Sequence, residues 1–284
     1  MDAIGISKSV LSISSPGTHL VQGNKHLAFK VTRYCNEYAA RLKRDHPERF
    51  GYFASLPLPD FDLAMEEIER ASNEGADGFC LLTNAHGHYI GDSILDPIFD
   101  ELNRRKAIVF IHPTTPCIAC ESGATKATPN AGKWPFPWTE FFFDTARVVT
   151  NLFMYGTVER CPDIRWIIPH CGGAVPPLLT RFSTFSSMIR GPWKALTEEE
   201  VIETLKRQFY FDLAGLPFPS QLRGLLATGV DASRLFYGTD YCFTPFAATK
   251  MLAEKMDEGV KGLFNEEEIE QIYSGNARRL LLQQ

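Results

Sequence analysis

Seven short apolar runs punctuate the chain: SVLSIS at 9–14, GYFASLP at 51–57, GFCLLT at 78–83, AIVFIHP at 107–113, IRWIIPH at 164–170, FYFDLA at 209–214 and RLFYGTD at 234–240. Most are rich in β-branched and aromatic residues, and their apolar character is nearly continuous. That pattern predicts strands buried on both faces, as in a parallel sheet. Between the runs the apolar spacing lengthens. In 60–74, Phe61, Ala64, Ile68 and Ala71 recur at intervals of three and four, Asp60 stands at the N-cap position and Gly75 stops the run, which predicts a helix. Segments 93–105, 139–160, 197–208, 219–228 and 265–282 predict further helices.

Strands alternating with helices over this length predict an α/β fold, a (β/α)8 barrel of the TIM type, forming one domain over 1–284. An eight-stranded barrel needs one strand more than the seven visible. Met1 to Ile4 reads as a helix tail leading straight into the first visible strand. The expectation is therefore a barrel that lacks its first strand. The long irregular stretch 114–138 follows a strand ending in histidine, where it is placed to shape or cover a site.

Composition narrows the function without deciding it. The chain has 284 residues, 44% hydrophobic and 22% charged, as ordinary globular proteins do. A net charge of −5 leaves no basic excess to neutralise phosphates, so nucleic acid is not an expected partner. Neither a leader nor a membrane span of ~20 apolar residues is read from the sequence. Seven scattered cysteines suit reduced thiols and a cytoplasmic location. Cys117 and Cys120 form a C-x-x-C without the second pair that a zinc ribbon needs, and are read as incidental.

The chemistry lies where polar residues end the apolar runs. His112 follows IVFI, His170 follows RWIIP, Asp212 interrupts FYFDLA and Asp240 follows LFYGT. In parallel barrels the strand C-termini share one face, and that face hosts catalysis. Two histidines and an aspartate there suit a metal such as zinc, or one histidine can serve as acid or base. Asp212, inside its strand, is assigned a structural role. His86 and His88 form an H-x-H in NAHGHYIGD and are read as part of a loop; His19, His26 and His46 carry no pattern.

IHP at 111–113, PHCGGAVP at 169–176 and YGTDY at 237–241 together resemble the amidohydrolase-related metal-dependent decarboxylases, the family of aminocarboxymuconate-semialdehyde, γ-resorcylate and 6-methylsalicylate decarboxylases. The resemblance implies that His112 and Asp240 bind a divalent metal, zinc or manganese. It implies that His170, with Asp240, handles protons. It makes Arg181 a holder of the substrate carboxylate, which some members take from a neighbouring subunit, and hence implies a homodimer. Phe243 is similar to an aromatic that packs on substrate; Phe136 and Trp138 are further candidates for apolar walls. The family's H-x-H or E-x-H motif on a first strand has no counterpart here. Gly173 stands where resorcylate-type members carry glutamate, which aligns the chain with the aminocarboxymuconate or methylsalicylate type.

The expected activity is non-oxidative decarboxylation of a small aromatic or unsaturated carboxylic acid. Two other readings stay open at this point: a metal-dependent hydrolase of a lactone or amide, and a truncated, catalytically impaired homologue.

Overall fold

The computed structural model describes residues 1–118, 125–126 and 133–282. Cys120, and with it the C-x-x-C pairing, lies outside the described residues, as do 119–124 and 127–132 of the irregular stretch. The chain divides into two compact units, Met1–Arg165 and Trp166–Gln284.

The first unit opens with one 3-10 turn, Asp2–Ile4, where the sequence predicts a helix tail. It then runs β1 (Ser9–Leu11), α1 (Lys25–Asp45), β2 (Phe50–Tyr52), β3 (Ala54–Ser55), α2 (Phe61–Asn73), β4 (Phe79–Leu82), β5 (Asn84–Ala85), β6 (His88–Tyr89), α3 (Asp96–Arg104), β7 (Ile108–His112), β8 (Cys117–Ile118), β9 (Thr125–Lys126), α4 (Glu140–Met154) and α5 (Thr157–Arg160). β1 pairs with β2, and β4 pairs with both β3 and β7, all in parallel. The β4–β7 register sets Leu82 opposite His112, so both strands end at one level. β5–β6 and β8–β9 are small antiparallel ribbons beyond those ends. Asp60 caps α2 as the sequence predicts, its carboxylate accepting from Leu63 N–H at 3.1 Å.

The second unit contains β10 (Arg165–Ile168), α6 (Val175–Met188), α7 (Glu198–Gln208), β11 (Phe209–Asp212), α8 (Ser220–Ala227), β12 (Leu235–Phe236), α9 (Phe246–Lys261), α10 (Glu266–Glu270) and α11 (Asn276–Leu281). β11 pairs in parallel with β10 and β12. Trp166, Ile168, Phe209, Phe211 and Leu235 are fully buried, and Trp166 stacks on Phe209 with centroids 6.2 Å apart. Burial on both faces explains why these strands read as continuous apolar runs.

All seven apolar runs contain strands, each shorter than its run. The predicted helix 139–160 is interrupted at Tyr155 and Gly156, where Gly156 takes a left-handed φ of 75°. The predicted helix 265–282 is interrupted by a π turn at Gln271–Gly275. Three helices that the sequence patterns did not announce, α1, α6 and α9, complete the set. Among the described residues, no helix is long and apolar enough to cross a membrane.

Candidate active site

In the second unit, three chain segments bring His170, Asp212 and Asp240 together. After β10 the chain turns sharply through His170, Cys171, Gly172 and Gly173 into α6. His170 and Cys171 take φ values of 53° and 52°, a left-handed conformation that costs non-glycine residues of order 1–3 kcal/mol each. Gly172 also has positive φ, and a Cβ there would sit 3.3 Å from the Phe211 ring.

The strained turn is held from both sides. The Asp212 carboxylate accepts from His170 N–H at 2.9 Å and from Ala214 N–H at 3.0 Å. The His170 carbonyl accepts from the Gln221 side-chain amide on α8 and from Gly173 N–H at 2.9 Å. Asp212 is thus a positioning residue, which fits the structural role read from the sequence. Gln221 carried no sequence signal, because its partner lies 51 residues away.

Asp240 also has a left-handed φ, 52°. Its carbonyl accepts from Thr244 N–H at 3.0 Å, whereas its carboxyl has no hydrogen-bond donor among the described residues. Burial pushes the Asp240 carboxyl up; the nearby His170 opposes this and Asp212 reinforces it. Burial likewise raises Asp212, again against His170. Two crowded carboxyls facing one imidazole favour a shared proton or a bound cation.

In the first unit, His112 closes β7. Its Nδ1 lies 2.7 Å from the Pro113 carbonyl. A carbonyl only accepts, so Nδ1 carries the proton and Nε2 presents the lone pair, the arrangement typical of a metal-binding imidazole. Phe110 and Phe141 meet the ring edge to face. The surrounding backbone is fixed: Thr83 N–H donates to the His112 carbonyl at 2.9 Å, and Thr114 N–H donates to Thr83 Oγ1 at 3.1 Å. Thr83 donates in turn to Asp144, a fully buried carboxylate on α4 that also accepts from Tyr89 OH at 2.7 Å. Asp144 was not anticipated; its one signal is an acid inside the apolar run FFFDTARVV.

Arg181 is exposed on α6, its guanidinium 4.8 Å over the Phe185 ring. Phe243 and Trp138 are 67% and 70% exposed, and Phe136 is half-buried, so neither Phe243 nor Trp138 is a core aromatic. Each unit taken by itself offers one donor of a kind that divalent cations accept: in the first the His112 imidazole, its Nδ1 bonded to a carbonyl, and in the second the half-buried Asp240 carboxyl. Among the described residues of each unit, no three His, Cys, Asp or Glu side chains cluster as a complete metal site.

Parallel strands with polar residues at their C-terminal ends suit a barrel enzyme. Residues 13–282 match the amidohydrolase family model, and the chain belongs to that family, whose fold is a TIM barrel with a mostly parallel sheet. The 6-methylsalicylic acid decarboxylase of Penicillium expansum is 32% identical over 248 residues, covering 86% of this chain and 72% of that protein. A crystal structure of an amidohydrolase II superposes with a TM-score of 0.87 at 30% identity, covering 99% of this chain and 86% of the other. A dihydroxybenzoic acid decarboxylase from Polaromonas, solved with bound manganese and 2-nitroresorcinol, has a TM-score of 0.81 at 21% identity, covering 99% and 83%.

Proposed function

We propose that this chain is a metal-dependent, non-oxidative decarboxylase of a small aromatic or unsaturated carboxylic acid, acting as a single amidohydrolase-like domain over 1–284. The observation that carries the reading is the His170, Asp212 and Asp240 cluster, with His170 and Asp240 both in left-handed backbone, in a chain whose relatives are decarboxylases.

A divalent metal held by His112 and Asp240, zinc or manganese, would supply Lewis acidity toward a substrate oxygen. His170 delivers a proton to the ring carbon that bears the carboxylate. The bond from that carbon to the carboxylate then breaks, carbon dioxide leaves, and its electron pair restores the unsaturated system. Asp212 holds the His170 main chain through this step, so the imidazole keeps one orientation. Arg181 binds the carboxylate through its two-pronged guanidinium, and Phe243 supplies an apolar wall.

Arg181 also supports a homodimer. It lies among exposed Leu178, Phe185, Met188 and Ile189 on and just after α6, a face suited to a second copy that borrows the arginine. The cysteine pattern supports a cytoplasmic location. Lactone or amide hydrolysis gains no support from the relatives.

A panel of hydroxybenzoic acids and aryl lactones, offered to the metal-supplemented protein, tests the reading. Consumption of an acid supports it; consumption of lactones with every acid untouched refutes it. With the acid that is turned over, Arg181→Lys is expected to raise KM by about tenfold, the loss of one good charge-assisted contact, with a smaller change in kcat. An unchanged KM removes Arg181 from the carboxylate site.

A further inference from the structure

A second histidine cluster lies in the first unit. His19, Gln22, Lys25, Asp60, His86 and His88 line a cavity of about 180 Å³. His19 lies in the segment after β1, and His86 and His88 belong to the β5–β6 hairpin. These are chain segments other than the one that carries His112.

The protonation of the His19 ring follows from its partner. His19 Nδ1 lies 2.7 Å from the Leu58 carbonyl, so Nδ1 carries the proton and Nε2 the lone pair. The His86 Nε2 has no hydrogen-bond partner. The rings meet edge to face with centroids 4.5 Å apart. Both Nε2 atoms are buried and neither has a hydrogen-bond partner, an arrangement that is costly for a polar atom withdrawn from water.

Two features show that the His86 position is imposed by its surroundings. Its backbone is left-handed, with φ 51°, a conformation that persists in a non-glycine residue only when its neighbours enforce it. Burial, together with His19 and His88, holds its imidazole below the usual histidine range. Nearby, Lys25 is paired with Asp60, and His88 Nδ1 lies 4.0 Å from the Asp92 carboxylate.

We propose that His19 and His86 form a two-imidazole site for a borderline divalent transition cation, distinct from the one assigned to His112 and Asp240. Neutral imidazole nitrogen suits Zn²⁺, Ni²⁺ and Cu²⁺ and is a poor match for Mg²⁺ or Ca²⁺. Water fills the remaining positions from the cavity. The ion ties the segment after β1 to the β5–β6 hairpin, so its binding raises the unfolding temperature. The inference stands apart from the decarboxylase reading, since it uses none of that site's residues.

The test uses the full chain stripped with chelator and then titrated with Zn²⁺ against a chromophoric competitor, and with Cu²⁺ followed by electron paramagnetic resonance. The double variant His112→Ala with Asp240→Ala is expected to keep one equivalent of ion, with hyperfine coupling to two nitrogen nuclei in the copper spectrum. The double variant His19→Gln with His86→Asn is expected to lose one equivalent relative to wild type. Asparagine tolerates the left-handed backbone at position 86, and circular dichroism in chelator verifies that this variant folds. Wild-type stoichiometry in the His19/His86 variant, or a copper spectrum without nitrogen coupling in the His112/Asp240 variant, overturns the proposal.

Discussion

Replacing His170 with asparagine is expected to lower kcat by about 10²–10⁴-fold, the range that a positioned general acid contributes, with KM changed far less. Asparagine is the informative substitution because it tolerates the left-handed backbone that His170 adopts. It also keeps the main-chain N–H that Asp212 accepts at 2.9 Å and the carbonyl that Gln221 holds. The turn therefore survives while the titratable ring is lost. Asp212→Asn makes the complementary case: the ring stays but one support of the turn weakens, so kcat falls less and partial activity remains. A His170→Asn variant with near wild-type kcat removes His170 from proton transfer and leaves it a structural turn residue.

The largest expected effect on stability lies outside the site, at Glu67. This carboxylate on α2 is fully buried. It accepts from Asn36 Nδ2 at 2.7 Å, from Arg33 Nε at 2.9 Å, and from Arg70 Nη2 at 2.6 Å and Nε at 3.1 Å. Glu67→Ala removes the acceptor that two guanidinium groups and a buried amide share, leaving Arg33 with Glu66, Arg70 with Glu74 and the Asn36 amide with the Ser55 carbonyl, and is expected to cost about 3 kcal/mol, the lower end of what breaking a buried ion pair from one side does. Denaturant titration measures it, and a loss below about 1 kcal/mol would reduce the network to an ordinary surface pair. Burial alone would raise the Glu67 carboxyl, but hydrogen bonds from Arg70, Asn36 and Arg33 outweigh it and hold the group below its ordinary value of 4.5. Its contribution is therefore complete above that value and fades as pH falls through the lower folded-state pKa. Glu67→Gln should flatten that acid limb of the stability profile.

The same network explains why part of the fold was hidden in the sequence. α1, the longest helix, buries Ala28, Thr32, Asn36 and Ala40. Their spacing of four is helical, but their side chains are small or polar, so no apolar stripe marks the helix. Asn36 belongs on that face because its amide brackets the Ser55 main chain, donating to the carbonyl and accepting from the N–H, both at 2.9 Å. α6 opens with Pro176 and Pro177 and is rich in serine and threonine, which masks its period in a different way. The strands were legible because parallel strands buried on both faces need apolar residues throughout.

The candidate residues stood out in the sequence for the inverse reason: His112, His170 and Asp240 are polar residues set where packing alone would not put them. What holds them did not, because it is non-local. The clamp from Asp212 to His170 spans 42 residues, and the contact between His19 and His86 joins two histidines that share no motif. Positive φ at His170, Cys171 and Asp240 also has no sequence signature, since none of the three is glycine.

Decarboxylation in D₂O tests the central claim most directly. The metal-supplemented full chain is incubated with 6-methylsalicylate and related hydroxybenzoates, and the products are read by mass spectrometry and NMR. The account predicts carbon dioxide together with a phenol carrying one deuterium at the carbon that held the carboxylate, and loss of that product in His170→Asn. Intact acids throughout, or a product formed by adding water with the carboxylate retained, would contradict it.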